Sequence, residues 1–301
     1  PVFGGLDEKH KKLRQAISLS INAQEYIDIL LQGNGLPAQW MLPPAVFGYD
    51  ANYKNPYRQW DPNLTKAKQL LSEAGYPDGI DPKTGEKLVL NYDNSNTTAI
   101  GRVQTGIMVK MIERLGIKVE SRTSRYNVFQ DKLLKGQHQF IFYGWFADYP
   151  DPENFVFLLY GPNKRPGPNS SNYASPVYDK LFEQMRSLDD GPQREEIIKQ
   201  MREVAVEDCP WFPVYHSVSL SLNYDWLKNV KAHPIDNAIG QYRSVDFEKR
   251  NRLRKEWNQP NYLPLLVIVV VMVGISVPAV NVVRQRVNRR VRKETPGDGE
   301  R

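Results

Sequence analysis

Apolar positions along most of the chain alternate between a helical and a strand-like period. Residues 8–21, EKHKKLRQAISLSI, put Leu13, Ala16, Ile17 and Leu19 at helical spacing. Asn22 with Glu25 three positions on forms a capping-box pattern for a second helix, which Gly33 stops. A Pro-, Asn- and aromatic-rich ordered loop follows, and then Asp61 and Pro62 open a third helix that ends at Gly75. From there the pattern predicts a strand at 88–92, a helix at 98–115 with Val103, Ile107, Met111 and Leu115 on one face, and a strand at 117–121. A helix at 126–135 and a strand at 140–143 come next. Strands alternating with helices predict an α/β layer with parallel or mixed pairing. Beyond the loop YGPNKRPGPNSSNYASP, helices are expected at 177–187 and 192–206, the second with Ile197, Ile198, Met201 and Ala205 inward. PWFPVYHSVSLSL reads as a strand and 223–242 as irregular.

One segment breaks both periods. Trp257 to Val283 carries no charge, and its core, 263–283, has the roughly 20 residues a helix needs to cross a bilayer. Trp257 and Tyr262 stand on one flank as interfacial aromatics, Pro264 sits in the first turn, and Pro278 is expected to kink the span. The predicted organisation is a domain at 1–248, a basic juxtamembrane linker at 249–262, a transmembrane helix at 263–283 and a basic cytoplasmic tail at 284–301.

Charge supports this division. The 301 residues, 41% apolar, carry a net +6, but 249–301 holds twelve Lys/Arg against four Asp/Glu. That local +8, taken from +6, leaves −2 on the first 248 residues. Basicity thus belongs to the C-terminal end, and a nucleic-acid partner is not expected. Lys and Arg flank the span on both sides, and the excess favours a cytoplasmic C-terminus only weakly. The chain starts at Pro1 without a signal-peptide pattern, so a processed or partial chain is expected.

Candidate chemistry is sparse. GNGLPA at 33–38 matches a dinucleotide pattern but follows a helix, and Pro37 interrupts it. His10, His138, His216 and His233 lack ligand spacing, so no metal or other cofactor is expected. Cys209 reads as a small buried apolar residue. GWFADYPDPENF, 144–155, sets Asp148 among Trp145, Phe146 and Tyr149 just past a strand, where open α/β sheets place ligands. A carboxylate buried there needs a cation, a metal or backbone N–H groups. Asp151 and Glu153, between prolines, are expected to cap the following helix.

GWFADYPDPENF, NSSNYASPVYDKL, DGPQREEIIKQMREVAVEDCPWFPVYH, LRQAISLSINAQEYIDILLQG with LPPAVFGY, and DPNLTKAKQLLSEAGYPDG stand in one order along 13–227. Together they resemble the C-terminal half of the dipeptide and oligopeptide substrate-binding proteins of ABC importers. WNQP and the terminal span resemble a branch anchored by a C-terminal helix. The resemblance implies a periplasmic-binding-protein-like fold of type II with an extra domain, of which this chain supplies one lobe and the return to the other. It also implies a non-enzymatic receptor on the outer face of a bacterial inner membrane, delivering peptides or similar amine-bearing ligands to an ABC permease. Asp148 then pairs with the ligand's α-ammonium, and Trp145, Phe146 and Tyr149 wall its pocket. Arg122 and Arg125 lie near in sequence as partners for a ligand carboxylate. The portion of the first lobe that precedes LRQAISLSI in the family comes from another chain or a missing segment. The rival expectation is a structural subunit of a membrane complex that keeps the lobe and has lost the cleft.

Overall fold

The computed structural model describes residues 3–231 and 238–294. These fall into two compact units, one holding 3–222 with 231 and 238–240, and the other 223–230 with 241–294. His233 and the tail beyond 294 lie outside the described residues.

Unit one begins with α1 (Glu8–Ser20) and α2 (Ala23–Leu31). The Asn22 side chain caps α2 by accepting from Glu25 N–H, as the spacing predicts, while the Glu25 carboxylate accepts from the Asn22 carboxamide N–H and not from the backbone N–H of a full capping box. β1 (Gly35–Pro37) follows, and then α3 (Thr65–Glu73). α3 starts three residues after Pro62, because the Asp61 carboxylate accepts from the N–H groups of Asn63 and Thr65 and closes a turn first.

β2 (Val89–Asn94), α4 (Ala99–Glu113), β3 (Lys118–Thr123), α5 (Tyr126–Lys135) and β4 (Phe140–Ile141) form the α/β layer. The sheet order is β3-β2-β4, all parallel, with Asp93 of β2 opposite Arg122 on one side and Ile141 on the other. The turn after α3 crosses the turn before β3 at backbone distance. Gly79 and Gly116 both have positive φ, and a Cβ on Gly79 would lie 2.5 Å from the Gly116 carbonyl carbon. Only glycine admits that approach.

The chain then passes through α6 (Glu153–Val156) to α7 (Pro176–Met185), α8 (Pro192–Asp208) and β5 (Tyr215–Ser217). β5 pairs antiparallel with β1, so three residues of the longer stretch expected as a strand form the ladder, flanked by backbone hydrogen bonds at Val214 and Val218. Cys209 is buried past the end of α8, and burial pushes its thiol up to about 12.

Two hydrophobic clusters make the core of unit one. Leu13, Ile17, Leu71, Leu90, Tyr92 and Ile112 centre the first, and Leu42, Val156, Tyr178, Phe182, Ile198 and Met201 the second. Tyr57 packs on both. Arg14 of α1 ties them further: its guanidinium donates to the carbonyls of Asp208 and Cys209 at the end of α8, and to those of Phe3 and Gly5. Those α8 carbonyls have no partner within the helix, and the cation also opposes its dipole.

His216 faces Leu36 across the β1–β5 pair, and burial lowers its imidazole to about 4. The unfolded chain protonates this group near 6.5, whereas the folded chain resists the proton. Its contribution to stability is therefore complete above pH 6.5 and drains as pH falls towards 4, by up to about 3 kcal/mol. His216→Gln should flatten the acid limb of the stability profile by that order, as read by urea unfolding from pH 7 to pH 4.

Unit two contains β6 (Leu227–Lys228), β7 (Ser244–Val245), α9 (Phe247–Trp257) and α10 (Leu263–Glu294). β6 and β7 pair antiparallel. Most of the stretch expected as a linker is thus helical: the Asp246 side chain caps α9 by accepting from Lys249 N–H. α10 continues unbroken through Pro278 and past the expected span. Its segment Leu263–Arg290 has a mean hydropathy of 2.7 in its most apolar window and buries none of that window against the protein. By length and composition it suffices to cross a membrane.

Candidate functional site

β4 ends at Ile141, on the C-terminal edge of the parallel sheet, and the next eleven residues form a loop to α6. Its start is held by the first cluster, with the Phe142 ring 5.5 Å from Tyr26 and 6.4 Å from Tyr215. Its middle is held by the second, where Trp145 meets Phe157 edge-on at 5.5 Å. The loop therefore bridges the two cores and has little freedom at either contact.

One side chain that sequence reasoning missed organises this loop. Asn154, 2% exposed in α6, accepts through Oδ1 from the Trp145 indole N–H at 3.1 Å and from the Asp148 backbone N–H at 3.0 Å. Its role depends on two donors six and nine residues upstream meeting at one oxygen, and no local pattern encodes that. Asn154→Leu leaves both donors without an acceptor, at a cost of roughly 1–3 kcal/mol for each one that stays buried. The expected result is a loss of about 2 kcal/mol or more in urea unfolding.

Asp148 differs from expectation. Its backbone is fixed, but its side chain is exposed and forms no ion pair among the described residues. The strand that leads to it ends seven residues earlier, and the carboxylate is left exposed among the described residues. Phe146 is 85% exposed and Tyr149 is 45% exposed, both free of ring contacts among the described residues. Trp145 is half-buried, and its N–H is committed to Asn154. Of the four expected ligand residues, then, three face solvent and one belongs to the scaffold.

Asp151 does serve the following helix, accepting from Glu153 N–H at 2.7 Å, and it also receives a two-pronged Arg194 guanidinium at 2.8 and 2.9 Å. Glu153 faces Arg186 at 3.9 Å instead of capping. Arg122 and Arg125 are exposed, on β3 and at the start of α5. Because β2 lies between β3 and β4, Arg122 is about 10 Å from the β4 strand that feeds the loop. No cluster of potential metal ligands occurs among the described residues. A separate cavity of about 220 Å³, lined by Trp40, Tyr49, Tyr53, Arg202 and His216 among others, does not include Asp148.

The middle region of the bacterial extracellular solute-binding proteins, family 5, matches residues 7–167. Among characterised proteins, the chain is 30% identical over 253 residues to Di/tripeptide-binding protein 3 of Pseudomonas aeruginosa, an alignment covering 83% of this chain and 43% of that protein. It is 28% identical over 211 residues to Heme-binding protein A of Haemophilus influenzae, covering 70% and 37%. Among solved structures it is similar to the ABC transporter-associated periplasmic binding protein DppA from Helicobacter pylori in complex with peptide STSA. That similarity has a TM-score of 0.66 and 25% identity, over 79% of this chain and 44% of the other. The chain thus spans less than half the length of these relatives, and its α/β fold is periplasmic-binding-protein-like.

Proposed function

Because this chain belongs to family 5 of the bacterial extracellular solute-binding proteins, a non-enzymatic family, we propose that it acts as a membrane-tethered extracytoplasmic receptor. In this reading it captures peptides, or similar ligands bearing a free amine, and delivers them to an ABC permease. It supplies the second lobe of a two-lobed binding protein, and the surface that closes over the ligand comes from outside these residues.

The observation that carries the reading is the Asp148 carboxylate, exposed and without a protein counter-ion among the described residues, on a loop whose backbone Asn154 holds still. A structural subunit would fill this position with its own side chains or a partner, and no side chain among the described residues pairs with it. A receptor leaves it open for a cation that arrives with the ligand. Once an ammonium is bound and the site covered, the pair leaves water together and becomes short and charge-assisted. The chain's sheet edge and loop then favour an extended ligand, whose register one ion pair sets. Phe146 and Tyr149 are the free aromatic surfaces for the adjoining side chains, with Trp145 as their support.

Tethering rests on α10. Apolar side chains exposed all round a helix this long are unfavourable in water, and a bilayer removes that cost. The soluble unit then lies on the extracytoplasmic side, and the basic residues after the span on the cytoplasmic side.

The test is thermal stabilisation of the purified protein, together with the chain that completes the cleft, by short peptides with free or acetylated amino termini. Stabilisation by free-amine peptides alone supports the reading. Equal stabilisation by acetylated peptides, or none by either in a folded and complete preparation, rejects it.

A further inference from the structure

Unit two is more than a connector. Its hairpin and α9 form a small module with an aromatic seam: Tyr224 stacks on Trp226 at 4.2 Å, and Trp257, the last residue of α9, lies 5.2 Å from Trp226 and 5.8 Å from Tyr224. Trp226 is buried, while Tyr224 is 61% and Trp257 is 59% exposed. Two of the module's lysines are used internally. Lys228 pairs with Asp246 at 3.1 Å, and Lys249 pairs with Asp225.

Four cations of α9 are not used. Arg250, Arg252, Arg254 and Lys255 form no ion pair among the described residues, including with Glu248 and Glu256, the only carboxylates of that helix. Arg250 and Arg254 are four apart and repel each other. They precede Trp257 by seven and three residues, so they share its side of the helix. Such a helix, polar nearly all round with like charges stacked, gains little from its own sequence. It gains most from an anionic surface supplied from outside.

The chain also fixes how far away that surface is. Only residues 258–262 separate α9 from α10, a reach of at most about 17 Å even when fully extended. Exposed aromatic edges beside unpaired guanidinium groups match the composition of the interfacial zone of a bilayer.

Resting on the reading of α10 as a membrane span, we infer that α9 and the Tyr224–Trp226–Trp257 seam form a docking face for anionic phospholipid headgroups, on the same side of the membrane as the binding unit. Headgroup phosphates pair with Arg250 and Arg254, which share Trp257's side of α9, and the exposed aromatic edges settle at headgroup level.

The chain is reconstituted into nanodiscs of phosphatidylcholine alone or with part of it replaced by phosphatidylglycerol, and amide hydrogen exchange is followed in α9 and α10. The expected result is exchange in α9 slowed tenfold or more by phosphatidylglycerol. High salt should reverse the effect, since the Debye length falls from about 10 Å at 0.1 M to about 3 Å at 1 M. R250Q/R254Q should abolish it, R250K/R254K should retain it, and R252Q/K255Q, on the opposite side of the helix, should leave it in place. Equal α9 exchange in both discs, with α10 protected in both, overturns the docking face and leaves the anchor standing. Free exchange of α10 in both discs overturns the anchor and the docking face together.

Discussion

Replacing Asp148 with alanine is expected to weaken binding of a free-amine peptide on the order of a hundredfold or more, with no change in the melting temperature of the ligand-free protein. The first half follows from the energetics of a covered charge pair, where truncating one partner costs about 2–5 kcal/mol because the other is left desolvated and alone. The second follows from the structure: the carboxylate is exposed and forms no hydrogen bond or ion pair among the described residues, so its removal strands no partner. Only its backbone N–H is engaged, and alanine keeps that bond to Asn154. Asp148→Asn should fall between the two, because it retains an acceptor without the charge. The sharper measurement is a cycle by titration calorimetry, combining Asp148→Ala with acetylation of the peptide. If the carboxylate and the amine are partners, the second change costs little once the first is made. Two losses that simply add would sink the assignment.

Lys132→Met is expected to cost about 3–5 kcal/mol of stability, which for a single domain is a large share of the whole. Asp93, in the central strand β2, is buried and pairs with Lys132 of α5 at 2.6 Å, and its second oxygen has no hydrogen-bond partner among the described residues. Removing the ammonium leaves a charge in the core with nothing to offset its desolvation. Asp93→Leu combined with Lys132→Met should recover most of the loss, because an apolar pair of similar volume replaces a buried ion pair at little net cost. Urea unfolding of the two variants checks both statements. A single variant within 1 kcal/mol of the parent protein would show that solvent already reaches Asp93. The site has a stake in this pair, since Asp93 is in register with Ile141, the last residue before the loop that carries Asp148.

What could be read from the sequence was local. The Asn22 cap on Glu25 N–H and the helix stop at Gly33 depend on neighbours within a few positions, and both are present; the pairing expected as parallel or mixed is parallel. Where a contact is made by distant residues, the pattern carried no trace. Asn154 looks like any polar residue after a proline. The strand expectation for PWFPVYHSVSLSL failed beyond Ser217 because a strand exists only as far as its partner, and β1 is three residues long. Asp148 lies seven residues past the end of β4, and the intervening loop carries it into solvent, a path that strand periodicity does not encode. The charge-dense residues after 248 looked like a linker because density of charge masks periodicity, although Asp246 with Lys249 three positions on was a helix start in plain view.

The apolar length of α10 has a kinetic consequence in the proposed reading. A span in the bilayer converts delivery from a search through a volume into one along a surface. A tethered receptor meets a permease at an effective concentration set by how many of each occupy a patch of membrane, and dilution of the surrounding compartment has no effect on it. A freely diffusing receptor can serve whichever permease it reaches, whereas a tethered one serves those in its own membrane, and uptake should scale with the product of their surface densities.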